Sequence, residues 1–576
     1  MIWYLQDPER FRSEREALDA LAAEAAWLSP IGWRVDERLR LIWDADIIAP
    51  ARSYPVSLRY PSHFPYSPPL VLPRDASDER WSAHQWGVGG ELCLEWGPDN
   101  WHKDVTGAEM MQSAYRLLEG ESPAPGVRGV VSSRHTMTLG QTTVGEPFRL
   151  VAPYTLVEAL QALPPGRQTT GMLAVTFREE TAVFVFDEVD LLDGAKWTDD
   201  TVPAILAKEG YRLKAMIKRL EDGEPLPPAT SFAALKATFQ DADADYFLVV
   251  RGTELYAYTS GWKDDRVIRI TILPTGAGGP RLNSGHAALA ECSVAIVGCG
   301  SLGGKVAVML ARCGVGRFLL IDDDILFPGN LVRNDLDWRE VGKHKVDAVA
   351  LRIRLVNARV SCERRRHRVG GQHSSGEVED IIEGIAKCDL VIDATSDPLV
   401  FNYLTAACTI GKKPMLWTEI FAGGIGGFMA RSRPGIEPDP QAIRNIIESW
   451  CLSQGKPIER AAGGYETQQN GVPLIADDTE VSVIAAHAAR FAIDMLLQRS
   501  PSAYPHAVYM IGLADDWIFD QPFDTKPIDV GQPVAAADAQ PAKTMSDQDR
   551  AFILQLFQKF SNADSPDTGS DRAAAE

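Results

Sequence analysis

No apolar run in this 576-residue chain is long enough to cross a membrane, which argues against an integral membrane protein. The first sixteen residues, MIWYLQDPERFRSERE, carry too many charges for a secretory signal peptide. The eight cysteines are scattered without a CxxC pair, which excludes a zinc site built from two such pairs. Their spacing also argues against a disulfide framework. These absences lead us to expect a cytoplasmic protein.

Positive charge is in short supply as well. The chain has 58 Lys and Arg against 78 Asp and Glu, a formal net charge of -20. Such a chain repels nucleic acids and anionic lipid surfaces, so we expect neither as a partner. The length suffices for about three or four domains.

The strongest pattern in the chain is Ser293–Asp324, SVAIVGCGSLGGKVAVMLARCGVGRFLLIDDD. A short apolar run, Val294–Val297, predicts a buried strand, which a glycine turn and an apolar-periodic helix at Lys305–Cys313 follow. A second apolar strand, Phe318–Ile321, ends in three aspartates. Glycines in such a turn let the backbone approach phosphate, and the helix N-terminus offers free N–H groups. The pattern predicts a βαβ unit that binds a nucleotide, or one that has kept only the fold.

The residues after this unit indicate the nucleotide chemistry. Asn330 and Arg333 lie within NLVRN, Lys345 lies within GKHK, and Asp397 ends DATSD. A dehydrogenase needs no amide and cations there, whereas an enzyme that adenylates a carboxylate must stabilise a charged α-phosphate. Arg333 and Lys345 suit that task, and an acid near residue 397 is a candidate ligand for Mg²⁺.

These motifs resemble those of the ThiF/MoeB-type adenylyltransferases and of the adenylation domain of ubiquitin-activating enzymes. The resemblance implies that ATP and Mg²⁺ bind here, that Arg333 and Lys345 are catalytic and that Asp397 holds the metal. It also implies a set of nucleotide-binding residues: Gly298, Gly300, Gly303, Asp322, Asp324, Asn330, Arg333 and Lys345. The family reads Asp-x-Thr-Asp-Asn where this chain reads DATSD, so the metal-binding acid is either shifted to Asp397 or lost.

A second set of motifs lies near the N-terminus. The prolines of FPYSPPLVL predict an extended loop that feeds an edge strand. HQWGVGGELCLEW then brings His84 and Cys93 close together in the sequence. A lone cysteine between leucines is most often a small core residue. Around these motifs we predict a helix, two strands and a second helix: Pro8–Leu28, Leu39–Trp43, Tyr54–Tyr60 and Gly107–Leu118.

This order of elements resembles the core of the ubiquitin-conjugating enzymes. In that family the cysteine carries the ubiquitin-like protein as a thioester, which implies that Cys93 is both nucleophile and leaving group. The His-Pro-Asn triplet of the family is only partly kept, since Gln85 and Trp86 follow His84. A backbone N–H or Asn100 is left to replace the missing asparagine, and His84 is expected to be structural.

Together the motifs predict an α/β multidomain chain. We expect an α+β N-terminal domain resembling a ubiquitin-conjugating enzyme, a middle α+β linker domain, and a Rossmann-like adenylation domain with a mainly parallel sheet. A mobile tail with one short amphipathic helix, Ser546–Phe560, completes the chain. The predicted boundaries, in that order, are 1–122, 123–285, 286–525 and 526–576.

The middle domain shows no catalytic constellation in its sequence. Alternating residues predict strands at Thr176–Asp187 and Asp245–Tyr258, and Val202–Leu220 is predicted to be helical. We interpret the domain as a spacer, with a docking surface as the alternative. TGAGGP at 275–280 is the predicted linker to the adenylation domain.

The second half of the adenylation domain leaves the route of the acyl group open. In ubiquitin-activating relatives the crossover loop before the last helix carries an acceptor cysteine, and Cys451 is the only cysteine in this region of the sequence. Either Cys451 is that acceptor, or the adenylate passes directly to Cys93 or through a hydroxyl such as Thr467 or Thr479. By the same resemblance, the glycines of Phe421–Phe428, FAGGIGGF, line a groove for the substrate's Gly-Gly terminus.

The domain order resembles that of the fused activating–conjugating proteins of bacterial anti-phage and ubiquitin-like operons. It implies ATP-dependent activation of a ubiquitin-like protein with a Gly-ending C-terminus. Transfer through Cys93 to an unknown target protein would follow, and the family resemblance implies a homodimer. Two other classes stay open: a sulfur-carrier-protein adenylyltransferase with a degenerate N-terminal domain, and a catalytically silent nucleotide-binding module.

Overall fold

The computed structural model shows a chain that mixes α-helices and β-sheets and divides into two units, Met1–Gly145 and Glu146–Glu576. Each unit is described by itself. The described residues are 2–50, 52–75, 81–82, 84–86, 90–121, 143–203, 210–239, 244–260, 265–274, 283–372, 374–456, 468–469, 472–473, 475–533 and 545–563. The predicted linker at 275–280 and the end of the tail lie outside them.

The first unit packs helices against a four-stranded antiparallel sheet. Its helices are α1 (Trp3–Gln6), α2 (Pro8–Glu24) and α3 (Gly107–Glu121). Its strands are β1 (Leu28–Val35), β2 (Leu41–Ile48), β3 (Ser53–Arg59), β4 (Leu70–Pro73), β5 (Gln85–Trp86) and β6 (Glu91–Leu92). The sheet runs β1-β2-β3-β4, and β5 and β6 form a small hairpin. The two helices and two strands predicted here are confirmed to within a few residues.

A buried carboxylate joins α2, α3 and the sheet. Glu14 Oε2 accepts hydrogen bonds from the Tyr60 hydroxyl and the Gly107 N–H, each at 2.7 Å. Arg10 lies 2.8 Å from the other carboxylate oxygen. Burial raises the pKa of Glu14. A Cβ at Gly107 would lie 2.1 Å from the Tyr60 hydroxyl oxygen, so only glycine lets α3 begin this close to the sheet.

The second unit begins with a β-domain. Its strands are β7 (Phe148–Ala152), β8 (Gln168–Arg178), β9 (Thr181–Asp190), β10 (Lys196–Thr198), β11 (Tyr211–Arg219), β12 (Tyr246–Arg251), β13 (Glu254–Ser260) and β14 (Val267–Pro274). Two helices, α4 (Tyr154–Gln161) and α5 (Phe232–Lys236), accompany them. The sheet order is β10-β9-β7-β14-β13-β12-β11-β8, and β8 pairs with β9 as well. Strands β7–β9 and β11–β14 therefore form a closed ring around a buried apolar core.

Three sequence predictions for this domain were wrong. Thr176–Asp187 is not one strand, because β8 turns into β9 at residues 179–180. Asp245–Tyr258 likewise holds two strands, which pair as an antiparallel hairpin. Val202–Leu220, predicted to be helical, contains β11, whose backbone bonds to β8 and β12. Long-range strand pairing has overridden the local pattern.

The second unit continues as a sheet with helices on both faces. The strands are β15 (Ser293–Val297), β16 (Arg317–Ile321), β17 (Ser361–Arg365), β18 (Leu390–Asp393), β19 (Met415–Ile420), β20 (Gly426–Ser432), β21 (Gln468–Gln469), β22 (Val472–Pro473), β23 (Val508–Gly512) and β24 (Thr525–Ile528). The helices are α6 (Ser301–Arg312), α7 (Lys345–Val356), α8 (Ser375–Lys387), α9 (Pro398–Gly411), α10 (Pro440–Ser453), α11 (Asp478–Leu496) and α12 (Asp547–Ala563). Helix α12 confirms the predicted helix near the C-terminus.

The sheet of this region runs β17-β16-β15-β18-β19-β20-β23-β24. The first five strands are parallel, and β20, β23 and β24 continue antiparallel. One apolar core lies under α6, α7 and α11, and another lies under α8, α9 and α10. The sheet is thus covered on both faces, as parallel sheets require.

The glycines of FAGGIGGF serve the packing of this sheet. A Cβ at Gly427 would lie 2.5 Å from the Glu419 carbonyl oxygen of the neighbouring strand. A Cβ at Gly426 would lie 2.4 Å from the Ile511 carbonyl oxygen. Internal crowding therefore accounts for both glycines, and a peptide groove at this segment stays a prediction.

A buried arginine ties β20 to the end of α11. Arg431, 1% exposed, lies 3.0 Å from Glu437 and 3.5 Å from Asp494, and it donates to the Tyr504 carbonyl at 2.9 Å. Its guanidinium also stacks over the Phe491 ring at 4.6 Å. Removing the cation would leave the buried Asp494 without its positively charged partner, whereas Glu437 would keep its ion pair with Arg433.

We expect Arg431→Met to lower the free energy of unfolding by about 3–5 kcal/mol, the usual cost of breaking a buried ion pair. The matched control is Arg339→Met, because the Arg339–Asp337 pair is mostly exposed and worth at most about 1 kcal/mol. Urea denaturation followed by circular dichroism measures both variants. Equal free energies of unfolding for Arg431→Met and Arg339→Met would contradict the prediction.

Candidate functional site

The connections of the parallel sheet locate its ligand-binding edge. From β15 the chain proceeds to β16 and β17 through α6 and α7, and these two helices share one face of the sheet. From β17 it crosses through α8 to β18, on the other side of β15, and α8 and α9 cover the opposite face. The direction therefore reverses between β15 and β18. Ligands of open α/β sheets bind at such a point, outside the carboxyl ends of the strands.

The glycine turn after β15 lies at this point. Gly298 has a φ of +88° and packs against Ala394, and a Cβ at Gly303 would lie 1.9 Å from the Gly298 carbonyl oxygen. Both glycines are thus required by the turn itself. Gly300 differs, because a Cβ there would meet no atom within 4 Å. Gly300 is also the N-cap of α6 and offers no side chain to its N–H groups, so this helix end is open to a phosphate.

Asp322, at the end of β16, holds the glycine turn in place. Its carboxylate accepts hydrogen bonds from the backbone N–H of Cys299 at 2.7 Å and of Asp324 at 2.8 Å. Burial raises its pKa. The structure thus gives Asp322 a positioning task, and its predicted contact with the nucleotide stays a prediction.

The predicted cations lie on the segment between β16 and α7. Lys345, the first residue of α7, is paired with Asp324 at 2.5 Å and is only 12% exposed. The amide oxygen of Asn330 accepts from the Phe327 N–H at 3.0 Å, which fixes a short 3-10 helix. Within the described part of the chain, the Arg333 guanidinium has no hydrogen-bond or ion-pair partner. Arg333 is therefore available to an anionic ligand.

Two carboxyl groups lie at the end of β18 and just after it. Asp393, 4% exposed, accepts hydrogen bonds from the N–H and the hydroxyl of Thr395, at 3.0 and 2.7 Å. Asp397 caps α9 by accepting from the Leu399 N–H at 2.9 Å, and its other oxygen lies 2.6 Å from Arg368. The capping and the ion pair hold the pKa of Asp397 below its usual value despite its partial burial.

The described residues hold no preformed metal site at this edge of the sheet. Both oxygens of the Asp397 carboxylate already have partners, one of them a cation. No group of three or more His, Cys, Asp or Glu side chains suited to a metal occurs among the described residues. The assignment of Asp397 to Mg²⁺ stays a prediction.

The buried carboxyl group of Asp393 predicts a pH dependence. Burial raises its pKa to about 6 in the folded chain, against about 4 when unfolded. Ionising it therefore costs folding free energy, and stability falls as the pH rises from about 4 to about 6. We expect Asp393→Asn, which keeps the amide oxygen as acceptor, to match the wild type near pH 4. Above pH 7 it should be more stable by about 3 kcal/mol, because two pKa units correspond to about 2.7 kcal/mol.

Differential scanning calorimetry from pH 4 to 8 measures this, in dilute solution because the isoelectric point is near 5.0. The control is Glu379→Gln, which removes an exposed carboxylate of α8. A stability difference between Asp393→Asn and the wild type that does not change with pH would contradict the prediction.

Cys93 lies in the first unit, directly after the β5–β6 hairpin. The residue is partly exposed, and its N–H donates to the His84 carbonyl at 2.8 Å. The His84 ring lies 3.9 Å from the Glu121 carboxylate at the end of α3. On the other side, Arg116 of α3 pairs with Glu95 at 2.7 Å. The segment that carries Cys93 is thus held against α3 on both sides.

Two polar side chains near Cys93 have structural tasks. Gln85, 5% exposed, accepts from the Trp81 and Ser82 N–H groups and donates to the Gly90 carbonyl at 2.8 Å. Gln85 therefore connects the backbone of residues 81–82 to that of Gly90. Asn100 accepts from the Gly97 N–H and donates to the Glu95 carbonyl. The oxygen and the nitrogen of the Asn100 amide are thus both hydrogen-bonded within residues 95–100. This disfavours Asn100 as a replacement for the asparagine of the family's triplet.

The burial of Cys451 disfavours it as an acceptor. Its side chain is fully buried in the core under α10, and burial raises its pKa to about 11. Thr479 is exposed at the start of α11, and Thr467 lies outside the described residues. Burial also raises the pKa of the other cysteines of this unit: Cys292, Cys299, Cys313, Cys362, Cys388 and Cys408.

The glycine turn, Asp322, Asp324 and Lys345 lie at the carboxyl ends of β15 and β16, and Asn330 and Arg333 lie on the segment that leaves β16. Their predicted contacts with a nucleotide stay predictions. Sequence reasoning missed Arg368, which joins this edge from beyond β17. The signal that could have found it is the run ERRRHR at 363–368, a dense group of cations in an acidic chain. None of the described helices is both long and apolar enough to cross a membrane.

Comparison with protein families supports the predicted adenylation domain. Residues 281–437 match the model of the ThiF family. The uncharacterized protein y4qC of Sinorhizobium fredii is 26% identical over 61% of this chain. Ubiquitin-like modifier-activating enzyme 5 of Branchiostoma floridae is 24% identical over 37% of this chain, and mouse adenylyltransferase and sulfurtransferase MOCS3 is 29% identical over 34%. The chain spans 65%, 52% and 44% of those three proteins, respectively.

Solved structures give a weaker likeness. Escherichia coli MccB with ATP is 18% identical and covers 44% of this chain and 67% of its own, with a TM-score of 0.33. MccB alone is 17% identical and covers 46% of this chain and 68% of its own, with a TM-score of 0.34.

Proposed function

We propose that this chain adenylates the C-terminal carboxylate of a ubiquitin-like protein and then carries that protein as a thioester on Cys93. One observation carries the proposal. The carboxyl edge of the segment that matches the ThiF family carries the open glycine turn at Gly300 and the Lys345–Asp324 ion pair. It also carries Arg333, whose guanidinium has no hydrogen-bond or ion-pair partner among the described residues. Ubiquitin-like modifier-activating enzyme 5, named for activating a ubiquitin-like modifier, is similar to 37% of this chain.

The first step is a displacement at the α-phosphorus of ATP. A carboxylate oxygen of the substrate forms a bond to phosphorus, and the bond to pyrophosphate breaks, which leaves an acyl adenylate. Lys345 and Arg333 stabilise the negative charge that develops on the phosphate oxygens. When a magnesium ion accompanies the nucleotide it neutralises part of the same charge, and we assign it no further step.

The second step moves the acyl group to sulfur. The Cys93 thiolate attacks the acyl carbon, AMP leaves with the electrons of the carbon–oxygen bond, and a thioester forms. An amine or hydroxyl of a target protein then displaces the thiol. Because Cys451 is buried, we favour direct transfer from the adenylate to Cys93. A homodimer and a cytoplasmic location complete the proposal.

A sulfur-carrier adenylyltransferase is the alternative. MOCS3, an adenylyltransferase and sulfurtransferase by name, is as similar to this chain as the modifier-activating enzyme is. Such an enzyme would form the adenylate but would leave no acyl group on Cys93.

The experiment uses the purified full chain, MgATP and, one at a time, the ubiquitin-like proteins ending in Gly-Gly from the same genome. Pyrophosphate release and denaturing gels with and without reductant are the two readouts. Pyrophosphate release together with an adduct that reductant removes supports the proposal. Pyrophosphate release without an adduct supports the alternative. If no substrate stimulates release, both fail.

A further inference from the structure

A short segment of the chain crosses the carboxyl edge of the sheet. Residues 366–371 leave the end of β17 and reach α9, which follows β18. Val369 is buried in the core beneath α9, and a Cβ at Gly370 would lie 2.6 Å from the Tyr403 ring. In the sheet order, β16 and β15 lie between the two ends of this crossing. The segment therefore spans the ends of the strands that carry Asp324 and the glycine turn.

Arg368 is the cation of this crossing segment. Its guanidinium lies 2.6 Å from the Asp397 carboxylate, and 56% of its side chain is exposed. The hydrogen bond and charge of Asp397, together with the charge of Asp323 after β16, raise the pKa of Arg368. The guanidinium therefore contacts one carboxylate after β18 and feels the charge of another after β16.

The partner of Arg368 belongs to the same site. The Asp397 N–H donates to the Thr395 hydroxyl, and the Thr395 methyl group would lie 3.0 Å from a Cβ at Gly298. Asp397 and Thr395 thus link Arg368 to the glycine turn of the candidate site. An exposed ion pair of this kind is weak, because water screens it. A guanidinium also matches the geometry of a phosphate, to which it donates two parallel hydrogen bonds.

We propose that Arg368 is a phosphate ligand of the nucleotide, held by Asp397 while the site is empty and transferred to the triphosphate on binding. This inference rests on the proposed function, and it adds a residue that does not belong to the glycine turn or to the segment between β16 and α7. It predicts that Arg368 contributes to the affinity for ATP through the phosphates, and that it does not contribute to the affinity for adenosine.

The test is the affinity of the purified full chain for ATP and for adenosine, measured by isothermal titration calorimetry in EDTA so that no metal contributes. We expect Arg368→Gln to weaken ATP binding about tenfold or more, the usual effect of losing a charge-assisted hydrogen-bond pair, and to leave adenosine binding unchanged. Arg368→Lys should recover part of the loss. The matched control is Arg317→Gln, because Arg317 is 53% exposed and lies at the opposite, amino-terminal end of β16.

A second variant separates this role from a merely structural tether. If the Arg368–Asp397 pair only fastens the segment to α9, Asp397→Asn and Arg368→Gln weaken ATP binding equally. If Arg368 binds phosphate, Asp397→Asn leaves ATP affinity unchanged or raises it. Equal losses, or an Arg368→Gln affinity within twofold of the wild type, overturn the inference. With pyrophosphate release intact in the wild type, that result leaves the proposed function standing, whereas a wild type that binds no ATP removes both.

Discussion

Replacing Lys345 by Ala is expected to lower the rate of substrate-dependent ATP–pyrophosphate exchange by about 100-fold or more, as removal of one electrostatic stabiliser commonly does. Lys345 begins α7 beside the carboxyl edge of the sheet, and its ammonium group is paired with Asp324. Without it the developing phosphate charge loses a nearby cation. The fold should survive, since Asp324 is 50% exposed and stays hydrated when its partner is lost.

The control is Lys343→Ala. Lys343 is exposed two residues earlier, and its backbone carbonyl, not its side chain, holds Leu326. We therefore expect Lys343→Ala, which removes a positive charge away from the Asp324 ion pair, to keep ATP–pyrophosphate exchange near the wild-type rate. Melting temperatures equal to that of the wild type would show that neither substitution affects folding. If Lys345→Ala exchanges within threefold of the wild type, Lys345 is not catalytic.

Cys93→Ala is expected to abolish the reducible adduct completely while pyrophosphate release continues. Cys93 is partly exposed, and the hydrogen bond from its backbone N–H to the His84 carbonyl does not depend on the side chain. Cys93→Ser should give an adduct that resists thiols and is cleaved by base, because an oxyester replaces the thioester. Denaturing gels after treatment with reductant or hydroxide distinguish the two.

Two further cysteine variants complete this experiment. Cys292→Ser changes another partly buried thiol and should keep the adduct. Cys451→Ala should also keep it, because the Cys451 thiol is buried in the core. Loss of the adduct in Cys451→Ala, with folding intact, would restore the relay through Cys451. A reducible adduct that persists in Cys93→Ala would place the acyl group elsewhere.

The βαβ unit was predictable because its signals are local. Val294–Val297 is an uninterrupted apolar run, and β15 is buried on both faces as such runs predict. The glycine turn was predictable for the same reason, since no other residue tolerates the crowding at Gly303. The tasks of the three aspartates were not, because Asp322 bonds to backbone N–H groups and Asp324 pairs with Lys345, and both sets of partners are set by the tertiary fold.

The middle domain shows where sequence reasoning fails. Its hairpins turn at 179–180 and 252–253, and each turn is only two residues long, so each pair of strands was predicted as one. Closure of the ring depends on pairing between β7 and β14, the first and last strands of the domain. No local pattern encodes a contact between such distant segments. Arg368 was missed for a similar reason, since its partner follows a different strand.

The closed ring also limits how the chain is divided or synthesised. A growing chain completes β7 long before β14 exists, so both the β7 edge and the later β13 edge stay unpaired until the last strand emerges. Unpaired edges of this kind recruit strands from other molecules. A fragment that ends anywhere between β7 and β14 therefore keeps such edges permanently and is expected to aggregate. A division between Gly145 and Glu146 leaves every ladder of the ring intact.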